Sequence, residues 1–181
     1  MKNFRTILTG INPLPLLRQV EAHPELWNSD EEWMQRKAET VLSAQRNIVL
    51  RDIVRAPPGH LPFANRGALR WLDEAVPIVF DLMRALPGEV LAQIIISRMA
   101  PGEVIAPHID EVRPGFPRNY QRYQIPLSVR QGVRFRCGDE ELFMKPGNAY
   151  WFDNSILHSV ENKSTEDRIS MRVDIRPFAW T

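Results

Sequence analysis

The sequence predicts a mainly β protein with N-terminal helices, in which short strands form a sandwich or jelly roll rather than a parallel sheet. Two observations carry this prediction. Residues 1–88 contain apolar residues at helical spacing, whereas residues 89–181 read as short β-like segments separated by turn residues. Because the helices precede the strands, we expect them to cover one outer face of the β structure.

The N-terminal part combines three predicted helices with two flanking strands. Prolines suit the first turn of the first helix, and a Ser-Asp pair followed by glutamate is typical of the start of the second. The apolar periodicity of the third helix contains Pro77, which is expected to kink or split it. The predicted helices are Leu14–Ala22, Asp30–Thr40 and Ala68–Leu86, and the predicted strands are Phe4–Thr9 and Ile48–Leu50.

The C-terminal part is predicted to contain eight short strands. Pro-Gly, Gln-Gly, Gly-Asp and Asp-Asn pairs mark turns between apolar, partly alternating segments. So many strands at this spacing are typical of a sandwich or jelly roll. The segments are Val90–Met99, Val104–Ile109, Arg122–Val129, Val133–Cys137, Glu140–Met144, Ala149–Phe152, Leu157–Glu161 and Arg168–Arg176.

Length and composition narrow the possible functions. A chain of 181 residues indicates one domain, residues 1–181. Its 23 basic and 22 acidic residues nearly cancel, so no nucleic-acid partner is expected, and the single cysteine, Cys137, excludes an internal disulfide. No apolar run approaches the roughly 20 residues of a membrane helix, and no signal peptide is recognisable. We therefore expect a cytoplasmic protein without a membrane partner.

A candidate metal site lies on two predicted strands that are far apart in sequence. His108 and Asp110 lie two residues apart at the end of the second strand, so both side chains can face the same side. His158 lies on the seventh strand, which is the neighbour of the second in an eight-stranded double sheet. Two histidines and one carboxylate form the facial triad that suits non-haem Fe(II). Taken alone, a His-x-Asp tripeptide is a common accident.

Arg168 opens the last predicted strand and strengthens the metal hypothesis. An arginine there would lie deep between the sheets and face the metal, and buried arginines are rare without an anionic partner. A carboxylate of 2-oxoglutarate would suit the guanidinium fork. The alternative is a surface salt bridge with the neighbouring Asp167 or Glu166.

Residues 89–177 resemble the double-stranded β-helix core of 2-oxoglutarate- and Fe(II)-dependent oxygenases, and more narrowly the aspartyl/asparaginyl β-hydroxylase family. The resemblance covers about half the chain and implies a jelly-roll, cupin-like fold, with residues 1–88 as helical support and flanking strands. The segments that carry it are Ile96–His108 with its Pro-Gly turn and Pro-His, Arg122–Leu127, Phe152–Asn162 with Phe-Asp-x-Ser-x-x-His, Arg168, and Val173-Asp174.

The resemblance also implies roles for individual residues. Some family members use two histidines without a carboxylate, whereas this sequence keeps Asp110. Family members often have histidine where Gln124 stands. The implied Fe(II) ligands are His108, Asp110 and His158, Arg168 and Ser97 would hold the distal carboxylate of 2-oxoglutarate, and Arg122 would contact the end of 2-oxoglutarate nearer the metal.

Polar and apolar side chains alternate along the third and last predicted strands. Arg122 and Gln124 share one face of the third strand, and Arg168, Arg172 and Asp174 share one face of the last. Because the predicted metal ligands must point inward, we expect the polar faces of these strands to line a pocket. The apolar faces would then pack against the helices. The alternative places the polar faces in solvent.

The resemblance implies hydroxylation of a C–H bond coupled to oxidative decarboxylation of 2-oxoglutarate with O2. The substrate would be a small molecule or peptide with an amino-acid unit, free, carrier-bound or peptidyl, hydroxylated at its β-carbon. Glu111–Asn119 follows a metal ligand directly, so Arg113 and Arg118 in this segment, together with Arg172, are candidates to bind a substrate carboxylate. The alternatives are that this segment is a solvated connector and that Arg172 is a structural partner of Asp174 or a neighbour.

Two other classes of protein remain open. One is a cupin-type isomerase or binding protein, although cupins typically show two histidines one residue apart, whereas this chain has His-x-Asp. The other is a degenerate oxygenase fold that serves as a scaffold, against which the intact triad and Arg168 argue.

Overall fold

The computed structural model describes residues 1–55, 62–110 and 120–178. Its described part consists mainly of antiparallel β structure. The strands are β1 (Phe4–Thr9), β2 (Arg46–Ile53), β3 (Phe63–Asn65), β4 (Gly88–Met99), β5 (Val104–His108), β6 (Gln121–Ser128), β7 (Val133–Cys137), β8 (Glu140–Leu142), β9 (Asn148–Phe152), β10 (His158–Asn162) and β11 (Arg168–Pro177). The helices are α1 (Leu14–Ala22), α2 (Glu31–Lys37) and α3 (Ala75–Ala85).

The strands form two facing sheets. The larger has the order β1-β9-β6-β11-β4-β2-β3, and the smaller has the order β5-β10-β7-β8. The eight predicted strands are β4 to β11. Of these, β4, β6, β9 and β11 lie in the larger sheet and β5, β7, β8 and β10 in the smaller, four in each as in a double-stranded β-helix. The predicted fold class, mainly β with N-terminal helices in a jelly roll, is therefore confirmed. The strands β1, β2 and β3 extend the larger sheet at its two ends.

The structure corrects the third predicted helix, Ala68–Leu86. Residues Gly67–Arg70 form a short 3-10 helix, and α3 begins only at Ala75. Pro77 therefore lies in the first turn of α3, where its missing N–H costs no intrahelical hydrogen bond. The helix α2 begins as expected, because the Asp30 side chain accepts a hydrogen bond from the backbone N–H of Trp33 at 2.8 Å.

The helices α1 and α3 cover the outer face of the larger sheet, as predicted. Leu16 of α1 and Leu82 of α3 are fully buried in one apolar cluster with the outward side chains of β4, β6 and β11. Those strand residues include Ile94, Ile96, Tyr123, Ile125, Met171 and Val173. No helix in the described ranges is long and apolar enough to cross a membrane.

The inner faces of the two sheets enclose a second apolar cluster. Phe135, Val160 and Phe152 pack there against Met99 and Ile105. The polar residues of β6 and β11 face this interior, because their apolar neighbours are committed to the outer cluster. The fold thereby positions charged side chains beside an apolar floor.

Candidate metal and co-substrate site

His108 and His158 are direct cross-strand partners on β5 and β10. Their ring centroids lie 4.2 Å apart, and the Oδ1 atom of Asp110 lies 3.6 Å from His108 Nε2 and 3.8 Å from His158 Nε2. The three potential ligand atoms all lie within 4.8 Å of one another. The structure therefore brings the three predicted metal ligands to one point.

Backbone carbonyls orient both imidazole rings. His108 Nδ1 lies 2.8 Å from the carbonyl oxygen of Ala106, and His158 Nδ1 lies 2.9 Å from that of Ile156. Since a carbonyl only accepts, each Nδ1 carries the hydrogen and donates it, which leaves the Nε2 lone pair directed at the common point. Burial lowers the pKa of His158, which favours the neutral form that binds a metal.

Asp110 divides its two oxygens between different tasks. Oδ1 faces the histidines, whereas Oδ2 accepts hydrogen bonds from Arg122 Nη1 at 2.5 Å and from Asn154 Nδ2 at 3.1 Å. Burial alone would raise the pKa of Asp110, but the positive charge of Arg122 outweighs it and holds this pKa well below its usual range. The carboxylate is thus ionised and oriented, as a metal ligand requires.

Arg122 is itself held by a second carboxylate. Its Nε and Nη2 atoms donate to the two oxygens of Asp174 at 2.8 and 2.9 Å, and these residues face each other across β6 and β11. Asp174 and Asp110 raise the pKa of the guanidinium against the opposing effect of burial. The chain Asp174–Arg122–Asp110 therefore stiffens the metal end of the site.

Arg168 lines the same cavity but lies six residues before Asp174 on β11, about 20 Å along the strand and away from the Arg122 end. It is only 4% exposed, and no side-chain hydrogen bond or ion pair joins it to the described residues. Burial lowers the pKa of its guanidinium to about 10, with no acidic group offsetting the effect. Asp167 pairs instead with Arg98, and Glu166 pairs with Arg130, so the alternative of a surface salt bridge is wrong.

Two residues beside Arg168 add hydrogen-bonding groups to the cavity. The Ser97 hydroxyl accepts a hydrogen bond from Asn47 Nδ2 at 2.8 Å, which leaves its own hydrogen available to a ligand. Gln45 Nε2 is buried and has no hydrogen-bond partner in the described part of the chain. Both Ser97 and Gln45 line the cavity that contains His108, His158 and Arg168.

The cavity meets the donor set that Fe(II) and 2-oxoglutarate need. Two imidazoles and one carboxylate converge on one point, and such a set leaves further coordination positions of a metal open to exchangeable ligands. A buried cation beside Ser97 matches a carboxylate at some distance from the metal ligands. The residues therefore fit both groups.

A wider cleft of about 800 Å³ adjoins this cavity. His108, Asp110, Arg122 and Arg172 line both spaces, so the metal-ligand group lies where they meet. Arg172, a predicted substrate residue, is at this junction. The other two candidates, Arg113 and Arg118 in Glu111–Asn119, lie outside the described residues.

Sequence reasoning missed three residues of the site. Asn154 lies in the turn before β10 and donates a hydrogen bond to Asp110. Gln45 directly precedes β2 and lines the cavity, and Asn47 of β2 donates to the Ser97 hydroxyl. They were missed because none of them is part of a motif with the characteristic spacing of ligand residues. Gln124 accepts a hydrogen bond from the Ser170 hydroxyl at 2.8 Å and lines the cavity.

Solved structures share this fold at low sequence identity. A prolyl-4-hydroxylase from Pseudomonas putida has a TM-score of 0.57 at 14% identity, covering 97% of this chain and 92% of that chain. The viral collagen prolyl hydroxylase of Paramecium bursaria Chlorella virus-1, solved with 2-oxoglutarate, has a TM-score of 0.53 at 11% identity, covering 98% and 97%.

A Burkholderia pseudomallei oxidoreductase of the 2OG-Fe(II) oxygenase family has a TM-score of 0.55 at 13% identity, covering 73% of this chain and 67% of that chain. Identities this low establish the fold alone. No curated protein matches the sequence.

The sequence profile of the aspartyl/asparaginyl β-hydroxylases matches residues 60–177, which is more than half of the chain. This match includes all three triad residues and Arg168. It favours an enzyme over the isomerase, binding-protein and scaffold alternatives. The chain therefore belongs to the aspartyl/asparaginyl β-hydroxylase family, a group of Fe(II)- and 2-oxoglutarate-dependent hydroxylases.

Proposed function

We propose that the protein hydroxylates an amino-acid-type substrate at its β-carbon, with His108, Asp110 and His158 as the Fe(II) ligands. The observation that carries this proposal is one cavity that is lined both by the three ligand residues and by the buried Arg168, which lies six residues before Asp174 on β11. This arrangement suits a metal and a dicarboxylic acid that reaches from it.

Iron and 2-oxoglutarate, when bound, supply the oxidative decarboxylation that activates O2 for C–H hydroxylation. The chain's own residues supply orientation. Arg168 and Ser97 hold the distal carboxylate of 2-oxoglutarate, and Arg122 contacts the end nearer the metal. Three N–H groups of Arg122 are engaged by Asp174 and Asp110, and a guanidinium carries further donors for this contact.

The adjoining cleft is the proposed substrate site. Its volume of about 800 Å³ is within the range of ligand sites and accommodates a free, carrier-bound or peptidyl amino-acid unit. Arg172, Arg113 and Arg118 are the proposed ligands of a substrate carboxylate. The cytoplasmic location stays a prediction.

The test measures succinate formation and product mass for free aspartate, free asparagine and peptides that contain either residue, with Fe(II) and 2-oxoglutarate supplied. We expect succinate in all assays and a mass increase of one oxygen with the preferred substrate class. His158→Ala should abolish both Fe(II) binding and succinate formation. His23→Ala is the matched control, since His23 pairs with Glu25 outside the site. Wild-type protein that forms no succinate, or His158→Ala protein that retains activity, would refute the proposal.

A further inference from the structure

A chain of buried polar side chains leads from the wall of the cleft to Arg172. Asp52, Gln93 and Arg172 come from β2, β4 and β11, which are neighbours in the larger sheet. Asp52 is 0% exposed, and Gln93 is also buried. Gln93 lines the wider cleft, and neither Asp52 nor Gln93 belongs to the metal-ligand group.

The direction of each hydrogen bond in this chain is determined by Asp52. Its Oδ1 atom accepts from Gln93 Nε2 at 2.5 Å, and its Oδ2 atom pairs with Arg36. The oxygens of a carboxylate paired with an arginine act as acceptors, so the NH2 group of Gln93 is assigned to the side that faces Asp52. The Gln93 carbonyl oxygen therefore points away from Asp52, and it accepts a hydrogen bond from Arg172 Nη2 at 2.5 Å.

Trp33 fixes the guanidinium of Arg172 from a second direction. The Cζ atom of Arg172 lies 5.5 Å from the centroid of the Trp33 ring, within the range of a cation–π contact. Trp33 is immobilised in turn, because it is fully buried and its Nε1 donates to Asn47 Oδ1 at 3.2 Å. The Gln93 hydrogen bond and the Trp33 ring face both restrict the guanidinium of Arg172.

The position of Arg172 matters because it borders both the metal-ligand cavity and the wider cleft. A cation at this junction would meet a substrate close to the carbon that is hydroxylated. Gln93 is uncharged, so its hydrogen bond fixes the direction of the guanidinium and itself adds no negative charge beside it. The charge of Asp52 is compensated by Arg36 instead.

We propose that Asp52 and Gln93 are positioning residues that hold Arg172 at the mouth of the metal cavity, where Arg172 determines specificity for a substrate with a carboxylate. The inference rests on the proposed function, since it requires that the cleft bind the substrate. The inference adds a role for Asp52. Without contacting the substrate, the Asp52 carboxylate orients the Gln93 amide, and the Gln93 amide orients Arg172 for binding the carboxylate of the substrate.

The experiment measures binding of two probes of nearly equal size to the full chain loaded with Zn(II) and 2-oxoglutarate. The probes are N-acetyl-L-aspartate and the uncharged N-acetyl-L-asparagine amide, titrated by calorimetry. In the wild-type protein we expect the acid to bind at least about tenfold more tightly than the amide, as one charge-assisted contact allows. Equal affinities, or no binding of either probe, would overturn the inference.

Two variants test the positioning role. Gln93→Met removes the acceptor of Arg172 with little change in volume, and Asp52→Asn allows the Gln93 amide to turn its NH2 group toward Arg172. Both should reduce the acid-over-amide preference about tenfold, to near unity, while Zn(II) and 2-oxoglutarate affinities change less than twofold. A preference that persists in Gln93→Met would overturn the positioning role.

Three controls separate the possible failures. Gln131→Met alters an exposed glutamine in the turn before β7 and should leave the preference unchanged. Arg172→Lys keeps the charge but loses the planar fork, so it should lose most of the preference even if Asp52→Asn fails to fold. Succinate formation without any substrate reports on the proposed function separately. Its absence would refute that function, whereas its presence with equal probe affinities would refute only the inference.

Discussion

Two arginines mark opposite ends of one cavity and differ in how their charges are compensated. Arg122, at the metal end, is bonded to Asp174 and to Asp110. Arg168, at the far end, is more deeply buried and has no acidic partner in the described part of the chain. Arg122 is therefore neutralised by the protein's own carboxylates. Arg168 is a buried cation that a bound anion would stabilise. Burial of a charge alone does not distinguish these roles, but the identity of its partners does.

The largest expected effect follows from removing the compensated arginine. Arg122→Met leaves the carboxylates of Asp174 and Asp110 close together without their shared cation, so we expect a loss of about 3 kcal/mol in the free energy of unfolding. Chemical denaturation measures this loss. Arg130→Met is the control, since Arg130 pairs with Glu166 on the surface and its side chain is 64% exposed, and its effect should stay below about 1 kcal/mol. If the Arg122→Met variant were as stable as the wild-type protein, the proposed difference between Arg122 and Arg168 would be wrong.

Removing the uncompensated arginine should have the opposite signature. Arg168→Met replaces a buried charge by an apolar side chain of similar size, so the free energy of unfolding should be unchanged or higher. The affinity for 2-oxoglutarate should fall by about tenfold to a hundredfold, which corresponds to losing a charge-assisted bidentate contact. Calorimetry with the Mn(II)-loaded protein measures this affinity.

Metal affinity is the control in that experiment. It should remain nearly unchanged in Arg168→Met, because this residue is at the opposite end of the cavity from the ligands. Oxaloacetate and pyruvate, which are shorter, should not replace 2-oxoglutarate in the wild-type protein. An unchanged affinity for 2-oxoglutarate in Arg168→Met would show that the far end does not bind it.

A smaller effect is expected from the second support of Asp110. Asn154→Ala removes the hydrogen bond to Oδ2 but leaves the one from Arg122, so Mn(II) affinity should fall about tenfold. Asn148→Ala provides a comparison outside the site, since Asn148 bonds to the Tyr150 hydroxyl. Equal metal affinities in the two variants would mean that Arg122 alone orients Asp110.

The smallest predicted effect concerns Gln45. Its buried Nε2 has no protein partner in the described ranges, so Gln45→Leu should leave stability unchanged. If this donor contacts 2-oxoglutarate, its removal should weaken binding about fivefold, the value of one ordinary hydrogen bond. An affinity equal to that of the wild-type protein would assign Gln45 to the wall of the cavity without a contact.

The strands β4 to β11 could be predicted from the sequence, because turn residues separate short segments in which polar and apolar residues partly alternate. Few folds other than a sandwich or jelly roll contain so many short strands at this spacing. It also placed His108 opposite His158, which depends only on strand order. The three-residue strand β3 was not predicted, because a segment of that length has no measurable period. The predicted helix Ala68–Leu86 was too long at its start, because a 3-10 turn has apolar spacing close to that of an α-helix.

Partners within the site were harder to predict than its position. The pairing of Arg122 with Asp174 depends on the register between β6 and β11, which no local pattern specifies. No sequence pattern pointed to a role for Asp52 and Gln93, because a buried contact between aspartate and glutamine has no characteristic spacing along the chain. Contacts of this kind depend on which strands are neighbours, and that information appears only in the folded structure.

The placement of His108 has a consequence for the dynamics of the protein. Among the described strands β5 lies at the edge of the smaller sheet, and β10 is its neighbour through an irregular register. A metal ion bound by His108 and His158 would cross-link this edge strand to the interior of its sheet. Local opening of β5 would then require breaking a coordination bond, so its amide hydrogens would exchange with solvent more slowly whenever the metal is bound.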